Sequence, residues 1–151
     1  GVVEADSQRL RHIFSGCIRV GDGDLGLRLA RIYQGVREVI EENAPREMAL
    51  ERVFMASNPH AALVLGHARG SALLAAVHRQ LPATEYSALE IKRAVVGTGG
   101  ASKEQVQHMV KMLLGLERKP PTDAADALAC AICHIHTRQM ATQVSSREQV
   151  G

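Results

Sequence analysis

Residues 122–136 read Thr-Asp-Ala-Ala-Asp-Ala-Leu-Ala-Cys-Ala-Ile-Cys-His-Ile-His, and a Pro-Pro pair separates this stretch from the chain before it. Thr122 can cap a helix whose first turns are rich in alanine, the best helix former. Asp123 and Asp126 lie three positions apart, so both carboxylates project from one face near the helix N-terminus. They either contribute to a site or only complement the helix dipole, which favours acids in the first turn. The pair alone leaves both readings open.

Strand and helix patterns alternate along the rest of the chain. Short apolar runs bounded by turn residues predict strands at 1–4, 10–19, 48–55 and 83–86. Apolar residues at three- and four-residue spacing predict helices at 25–40, at 58–81 and from 102 onward. The second begins with Asn58 before a proline, and the third with a capping box formed by Ser102 and Gln105. A polar tail after Met140 is expected to fray. This interleaved order indicates an α/β layer fold.

Composition fits one domain over residues 1–151. The length suffices for a substantial core, and 46% hydrophobic with 23% charged residues is ordinary for a soluble globular protein. No apolar run of membrane-span length and no signal peptide are visible, so we expect a cytoplasmic protein without a membrane partner. The net charge of +2 permits an anionic partner, and six basic residues outnumber three acidic ones between Leu89 and Lys119.

Glu51 is a second candidate site residue, because it interrupts the predicted buried strand. A buried carboxylate costs several kcal/mol unless it is paired with a base or bound to a metal ion, and both explanations are open. Together with Asp123 and Asp126 it would supply three oxygen ligands, a set that suits Mg²⁺ or Mn²⁺. Two such ions about 4 Å apart can activate water and stabilise the leaving oxygen in phosphodiester hydrolysis.

Five segments resemble, in the same order, the motifs of the RuvC Holliday junction resolvases. They are Leu-Glu-Arg-Val-Phe-Met-Ala (50–56), Gly-His-Ala-Arg-Gly (66–70), Val-Val-Gly (95–97), Lys-Glu-Gln-Val-Gln-His-Met (103–109) and Asp-Ala-Ala-Asp-Ala-Leu (123–128). The resemblance runs from Gly1 to about Gln139. It implies an RNase H-like fold with a mixed central sheet flanked by helices, and a homodimer packed through the 58–81 helix. It also implies Mg²⁺-dependent symmetric nicking of four-way DNA junctions alongside a branch-migration complex of RuvA and RuvB.

The resemblance also implies roles for single residues. Glu51, Asp123 and Asp126 match catalytic, metal-binding carboxylates of the family. Phe54 matches an aromatic residue that wedges into or stacks at the junction centre, although a lone Phe ending a strand often packs in a core. Lys92 and Lys103 match basic residues that meet DNA, although their spacing alone indicates only a solvated surface. Lys103 follows a glycine-rich loop, where helix-terminus amides can help to hold a phosphate.

The sequence departs from the family pattern at its start. RuvC proteins begin with a central strand that ends in Asp-Pro-Gly and supplies a further metal-binding aspartate, whereas this sequence begins just after that motif. We therefore expect the first, central strand to be absent and the sequence to be an incomplete copy of an active resolvase. The alternative is a dimer that binds junctions without cutting them, because one metal ligand is missing.

Cys130, Cys133 and His134 match the attachment pattern of c-type haem. The pattern lies inside the predicted helix, among apolar neighbours, and small cysteines in such places are ordinary core residues. We interpret these three residues as packing and not as a haem site. Zinc binding by the same three residues with His136 is not expected either, because adjacent positions on one helix point in different directions.

Overall fold

The computed structural model describes residues 1–6, 9–52 and 58–148, with side-chain environments up to residue 146. In chain order the elements are β1 (Val2–Asp6), β2 (Arg9–Phe14), α1 (Leu25–Asn43), β3 (Met48–Glu51), α2 (Pro59–His78), β4 (Ala83–Tyr86), α3 (Ala88–Val96), α4 (Lys103–Leu113) and α5 (Thr122–Glu148). The described strands form two two-stranded sheets, β1 with β2 and β3 with β4. Two compact units are present, Gly1–Ser15 with Tyr86–Gly151 and Gly16–Glu85.

The first unit is built around α5. Its four largest fully buried side chains come from α4 and α5, namely Val110, Leu128, Ile132 and Cys133. The β1–β2 hairpin is antiparallel, with Val3 opposite His12 and Asp6 opposite Arg9, and β1 packs against α5. A Cβ atom on Gly1 would lie 2.9 Å from the Leu128 side chain, so this strand approaches the helix closely. The amino end of α5 is therefore held by packing on several sides.

The second unit is a helix pair with a short strand. The helices α1 and α2 pack together, and Ser71 Oγ donates a hydrogen bond to the Leu29 carbonyl at 2.9 Å. Tyr33 Oη and His78 Nδ1 share a hydrogen bond of 2.8 Å, and Arg79 forms an ion pair with Glu41. Polar contacts thus join the C-terminal part of α2 and the residue that follows it to α1.

Most predicted elements are confirmed, including two of the predicted caps. Asn58 accepts a hydrogen bond at the start of α2, and the capping box at Ser102 is present. Asp24, which was not predicted as a cap, accepts a hydrogen bond at the start of α1. The predicted cap at Thr122 is wrong by one position, because α5 already includes this residue and the Ala125 amide donates to the Pro121 carbonyl at 2.8 Å.

Three element boundaries differ from prediction. β2 ends at Phe14 and not at residue 19, and α2 ends at His78 just before Gln80 takes a positive φ of 54°. α5 continues to Glu148 instead of fraying after Met140. Hydroxyl groups of residues 142, 145 and 146 donate to carbonyls four positions back, so these polar side chains fit within the helix.

The helix α2 is long and apolar enough to cross a membrane, by length and composition alone. The expectation that no apolar run reaches this length is therefore wrong for Pro59–His78. Only about a tenth of its most apolar window is buried within the described residues. Such a lone helix is weak support for a membrane segment, because a helix that packs against a second copy has the same composition.

Candidate functional site

Asp123 and Asp126 lie in the first two turns of α5, as predicted. Ala124 and Ala125, which lie between them, are almost completely buried, so this end of the helix packs closely against neighbouring elements. Asp123 is exposed and Asp126 is half-buried. The two carboxylates therefore stand at the edge of the first unit, one in solvent and one partly withdrawn from it.

The pKa of Asp126 is raised above the ordinary aspartate value. Partial burial is the main cause, because it disfavours the charged form, and the neighbouring Asp123 carboxylate adds to it. The Lys103 ammonium acts in the opposite direction and favours the charged form. The structure thus brings three predicted site residues, Asp123, Asp126 and Lys103, into one electrostatic neighbourhood.

Lys103 is the first residue of α4, held there by the capping box. The Ser102 amide donates to Gln105 Oε1 at 2.8 Å, and the Gln105 amide donates to Ser102 Oγ at 3.2 Å. The pKa of the neighbouring Glu104 is lowered, chiefly by hydrogen bonds from its own amide and from Ser102. The Lys119 and Lys103 ammonium groups lower it further. Two lysines from different segments therefore act on one carboxylate.

Glu51 does not occupy the buried mid-strand position that the sequence predicted. It is exposed and forms the last residue of β3, whereas the preceding Leu50 is buried. The prediction failed because the apolar run suggested a strand that continued to residue 55, with Glu51 near its middle. Residues 53–57 lie outside the described part. Glu51 belongs to the second unit, and the two aspartates belong to the first.

The two remaining candidates are Lys92 and Phe54. Lys92 is half-buried on α3, a helix that was not predicted from the sequence and that begins with a capping box between Ser87 and Glu90. The Ser87 and Glu90 spacing was the available signal for this helix. Phe54 falls at 53–57 and so lies outside the described residues.

Carboxylates are the chemistry at this site that could hold a metal ion. Within the described residues, no three His, Cys, Asp or Glu side chains are grouped closely enough to do so. Asp123 and Asp126 nevertheless offer oxygen ligands of the kind that Mg²⁺ and Mn²⁺ prefer. A divalent cation would also favour the charged form of Asp126, which burial disfavours. The residue types present therefore fit a magnesium-type ion, and the two aspartates would form part of its coordination shell.

The interpretation of Cys130, Cys133 and His134 as packing is confirmed, since all three are buried. Tyr86 Oη and His134 Nδ1 share a buried hydrogen bond of 2.9 Å, which fixes the end of β4 against α5. Burial raises the pKa of the Cys133 thiol, the opposite of what an activated thiolate requires. These side chains stabilise the helix that carries the two aspartates.

Comparison with known proteins gives a consistent result. The family model described as crossover junction endodeoxyribonuclease RuvC matches residues 1–134. The protein of that name from Aeromonas salmonicida is 55% identical over 147 residues, which are 97% of this chain and 85% of the relative. Its counterpart from Francisella philomiragia is 48% identical over 150 residues, or 99% of this chain and 88% of the relative.

Solved structures agree with the sequence comparison. The Thermus thermophilus RuvC structure is similar with a TM-score of 0.83 and 32% identity, covering 93% of this chain and 87% of that one. A second structure, of T. thermophilus RuvC in complex with Holliday junction substrate, is similar with a TM-score of 0.86 and 31% identity over the same shares. The predicted RNase H-like α/β fold is thereby confirmed, although the described strands form two separate two-stranded sheets and not the one mixed central sheet that was expected.

Proposed function

Because the chain belongs to the RuvC family of crossover junction endodeoxyribonucleases, we propose that it resolves Holliday junctions by metal-dependent hydrolysis of phosphodiester bonds. The observation that carries the proposal is the pair of Asp123 and Asp126 inside the matched region, with Lys103 acting on the half-buried Asp126. Asp123 raises the pKa of Asp126 and Lys103 lowers it. Carboxylates beside an ammonium group at a surface suit a site that binds a cation and an anionic substrate together.

In this proposal Asp123, Asp126 and Glu51 hold Mg²⁺, or Mn²⁺ in its place, as two ions per site. When bound, the ions supply an activated water and stabilise the leaving oxygen. The packing of α5 fixes the half-buried position of Asp126, so the carboxylate needs little rearrangement before an ion binds. Its proximity to Lys103 keeps part of its charge balanced before a cation arrives.

The DNA-facing roles rest on basic and aromatic side chains. Lys103 at the start of α4 and Lys92 on α3 are proposed to contact backbone phosphates, as ammonium groups do in nucleic-acid complexes. Phe54 is proposed to stack or wedge at the junction centre. The proposed partners are a four-way junction, a second copy bound through α2, and the RuvA and RuvB branch-migration complex.

We propose a cytoplasmic location, since the DNA substrate lies there and the cysteines Cys17, Cys130 and Cys133 are free thiols. The proposed location also matches the proposed absence of a membrane partner.

The test is cleavage of a synthetic four-way junction in Mg²⁺ by wild-type protein and Asp126→Asn. The wild type should make symmetric nicks, and Asp126→Asn should lose nicking by about a hundredfold or more while still binding the junction. The Asp126→Asn change removes a carboxylate ligand and so weakens metal binding. The basic side chains that are proposed to contact DNA stay unchanged.

The matched control is Asp22→Asn, which alters an exposed aspartate in the second unit and should nick like the wild type. Tight junction binding by the wild type with no nicking at any Mg²⁺ concentration would contradict the enzyme proposal and favour a binding module. Full activity of Asp126→Asn would contradict the assigned site.

A further inference from the structure

We propose that Lys119 is an additional DNA-binding residue, which contacts a backbone phosphate beside the site formed by Asp123, Asp126 and Lys103. The inference rests on the proposed function and extends it. It concerns a residue of the segment between α4 and α5, outside the motifs that carry the family resemblance.

The backbone at Lys119 is held in place by α4. Gln107 Nε2 donates a hydrogen bond of 2.6 Å to the carbonyl of Pro120, the next residue, and Pro120 is itself buried. At the other end of this connection, Gly115 takes a positive φ of 60° and the Leu116 amide donates to the Lys111 carbonyl at 3.0 Å. A segment fixed at both ends presents Lys119 from a defined position.

The Lys119 side chain is exposed, and Gln107, which holds the carbonyl of the next residue, lies one helical turn after Lys103 on α4. Both ammonium groups also act on the exposed Glu104 carboxylate at the start of α4. Lys119 and Lys103 therefore flank one helix end, from two different segments of the same unit. Both lysines belong to the stretch from Leu89 to Lys119, in which six basic residues outnumber three acidic ones.

Among the residues that the structure describes, no ion pair up to 4.0 Å is found for Lys103 or Lys119. The ion pairs found there include those of Arg11, Arg37, Arg69 and Arg79. An exposed ammonium with no protein carboxylate that close loses little by moving onto a phosphate. The phosphate contact releases counterions from DNA, which is the dominant gain in such complexes.

The test measures junction binding in EDTA, where no cleavage occurs, at several KCl concentrations. The variants are Lys119→Ala, Lys119→Arg and Arg118→Ala. Lys119→Ala should weaken binding roughly three- to tenfold and reduce the slope of log K against log salt by about one, as expected for one lost phosphate contact. Lys119→Arg should restore both values, because the charge and its reach are kept.

Arg118→Ala is the matched control, since it removes the same charge from the preceding exposed residue, which is not among the groups acting on Glu104 or Asp126. It should change the slope by much less. An unchanged slope for Lys119→Ala, or an equal fall for both alanine variants, would overturn the assignment. Failure of the wild type to bind a junction would instead count against the proposed function itself. Circular dichroism spectra identical to that of the wild type establish that each variant is folded.

Discussion

At the scale of single residues, the partial burial of Asp126 opposes the metal-binding role that is proposed for it. Its pKa is raised, mainly by burial, so the folded protein binds a proton at this carboxyl more tightly than the unfolded chain does. Stability is therefore greatest below the unfolded-state pKa and declines as the pH rises through the folded-state pKa. At neutral pH the charged, half-buried carboxylate destabilises the fold, and a bound cation would compensate for this cost.

Because charged Asp126 destabilises the folded state at neutral pH, a neutral residue in its place should raise the melting temperature. In EDTA at pH 7, Asp126→Asn should melt higher than the wild type, by roughly 1–2 °C because solvent screens a half-exposed group. The difference should shrink as the pH falls below the unfolded-state pKa. Adding Mg²⁺ should stabilise the wild type more than the variant, because only the wild type keeps both carboxylates. Calorimetric melting curves measure all three effects.

Asp123→Asn is the control for this prediction, because its carboxylate is exposed. Without burial there is no desolvation cost to remove. The favourable charge lost at the helix N-terminus offsets the relief of repulsion with Asp126, so the variant should not melt higher. An Asp126→Asn variant that melts lower than the wild type in EDTA would contradict a destabilising desolvation cost at Asp126.

At the scale of elements, sequence patterns predicted most helices because their signals are local. The start of α2 at Asn58 and Pro59 and the capping box at Ser102 depend on neighbouring residues alone. The helix α3 was missed because nine residues give little periodicity, although Ser87 and Glu90 carried its cap. Exposure of Glu51 could not be predicted, since it depends on where β3 ends and not on residue type.

The site was predictable only in part, for the same physical reason. Asp123 and Asp126 are neighbours on one helix, so sequence spacing already placed them together. The action of Lys103 on Asp126 and of Lys119 on Glu104 arises from packing between α4 and the segments after it. The count of charged residues over 89–119 indicated a basic region. It could not show which lysines act on the carboxylates at the starts of α4 and α5.

The contact of β4 with α5 gives a prediction at the same scale. Tyr86 is buried and shares a hydrogen bond with His134, and its pKa is raised chiefly by burial. Tyr86→Phe removes the hydroxyl from a place where water cannot replace it, so unfolding should become easier by about 1–2 kcal/mol. Urea denaturation measures this loss.

Tyr33→Phe provides the matched control. Tyr33 makes the same kind of hydrogen bond to His78 at 2.8 Å, but the bond is exposed and water can substitute for it. The loss should be below about 0.5 kcal/mol. Equal losses for the two variants would show that burial does not decide the strength of this contact.

At the scale of the whole molecule, α2 leaves a surface unexplained within one chain. Five exposed residues follow a spacing of three and four along the helix and form the α2 stripe: Leu63, Gly66, Gly70, Leu74 and Val77. Leu63 is 59% exposed, Leu74 is 48% exposed and Val77 is 57% exposed. A Cβ atom on either glycine would meet nothing within 4 Å. Apolar residues at this spacing, with small residues at the centre, suit close packing of two helices.

We therefore expect the proposed homodimer to depend on the α2 stripe. The wild type should sediment at twice the chain mass of 16.3 kDa, and Leu74→Glu should sediment at 16.3 kDa. Burying an unpaired glutamate on each side of the interface costs several kcal/mol, enough to dissociate a dimer at micromolar concentration. Because symmetric nicking needs two active sites on one junction, Leu74→Glu should also lose paired cuts.

Met112→Glu is the control, since Met112 is 63% exposed on α4 in the other unit and is expected to lie outside the interface. This variant should remain dimeric, because the same change of charge on a solvent-facing side chain buries nothing. A dimeric Leu74→Glu would place the interface on a different surface. Recovery of wild-type protein only from the membrane fraction would instead assign the apolar face of α2 to lipid, since the same exposed leucines would then contact acyl chains in place of a second helix.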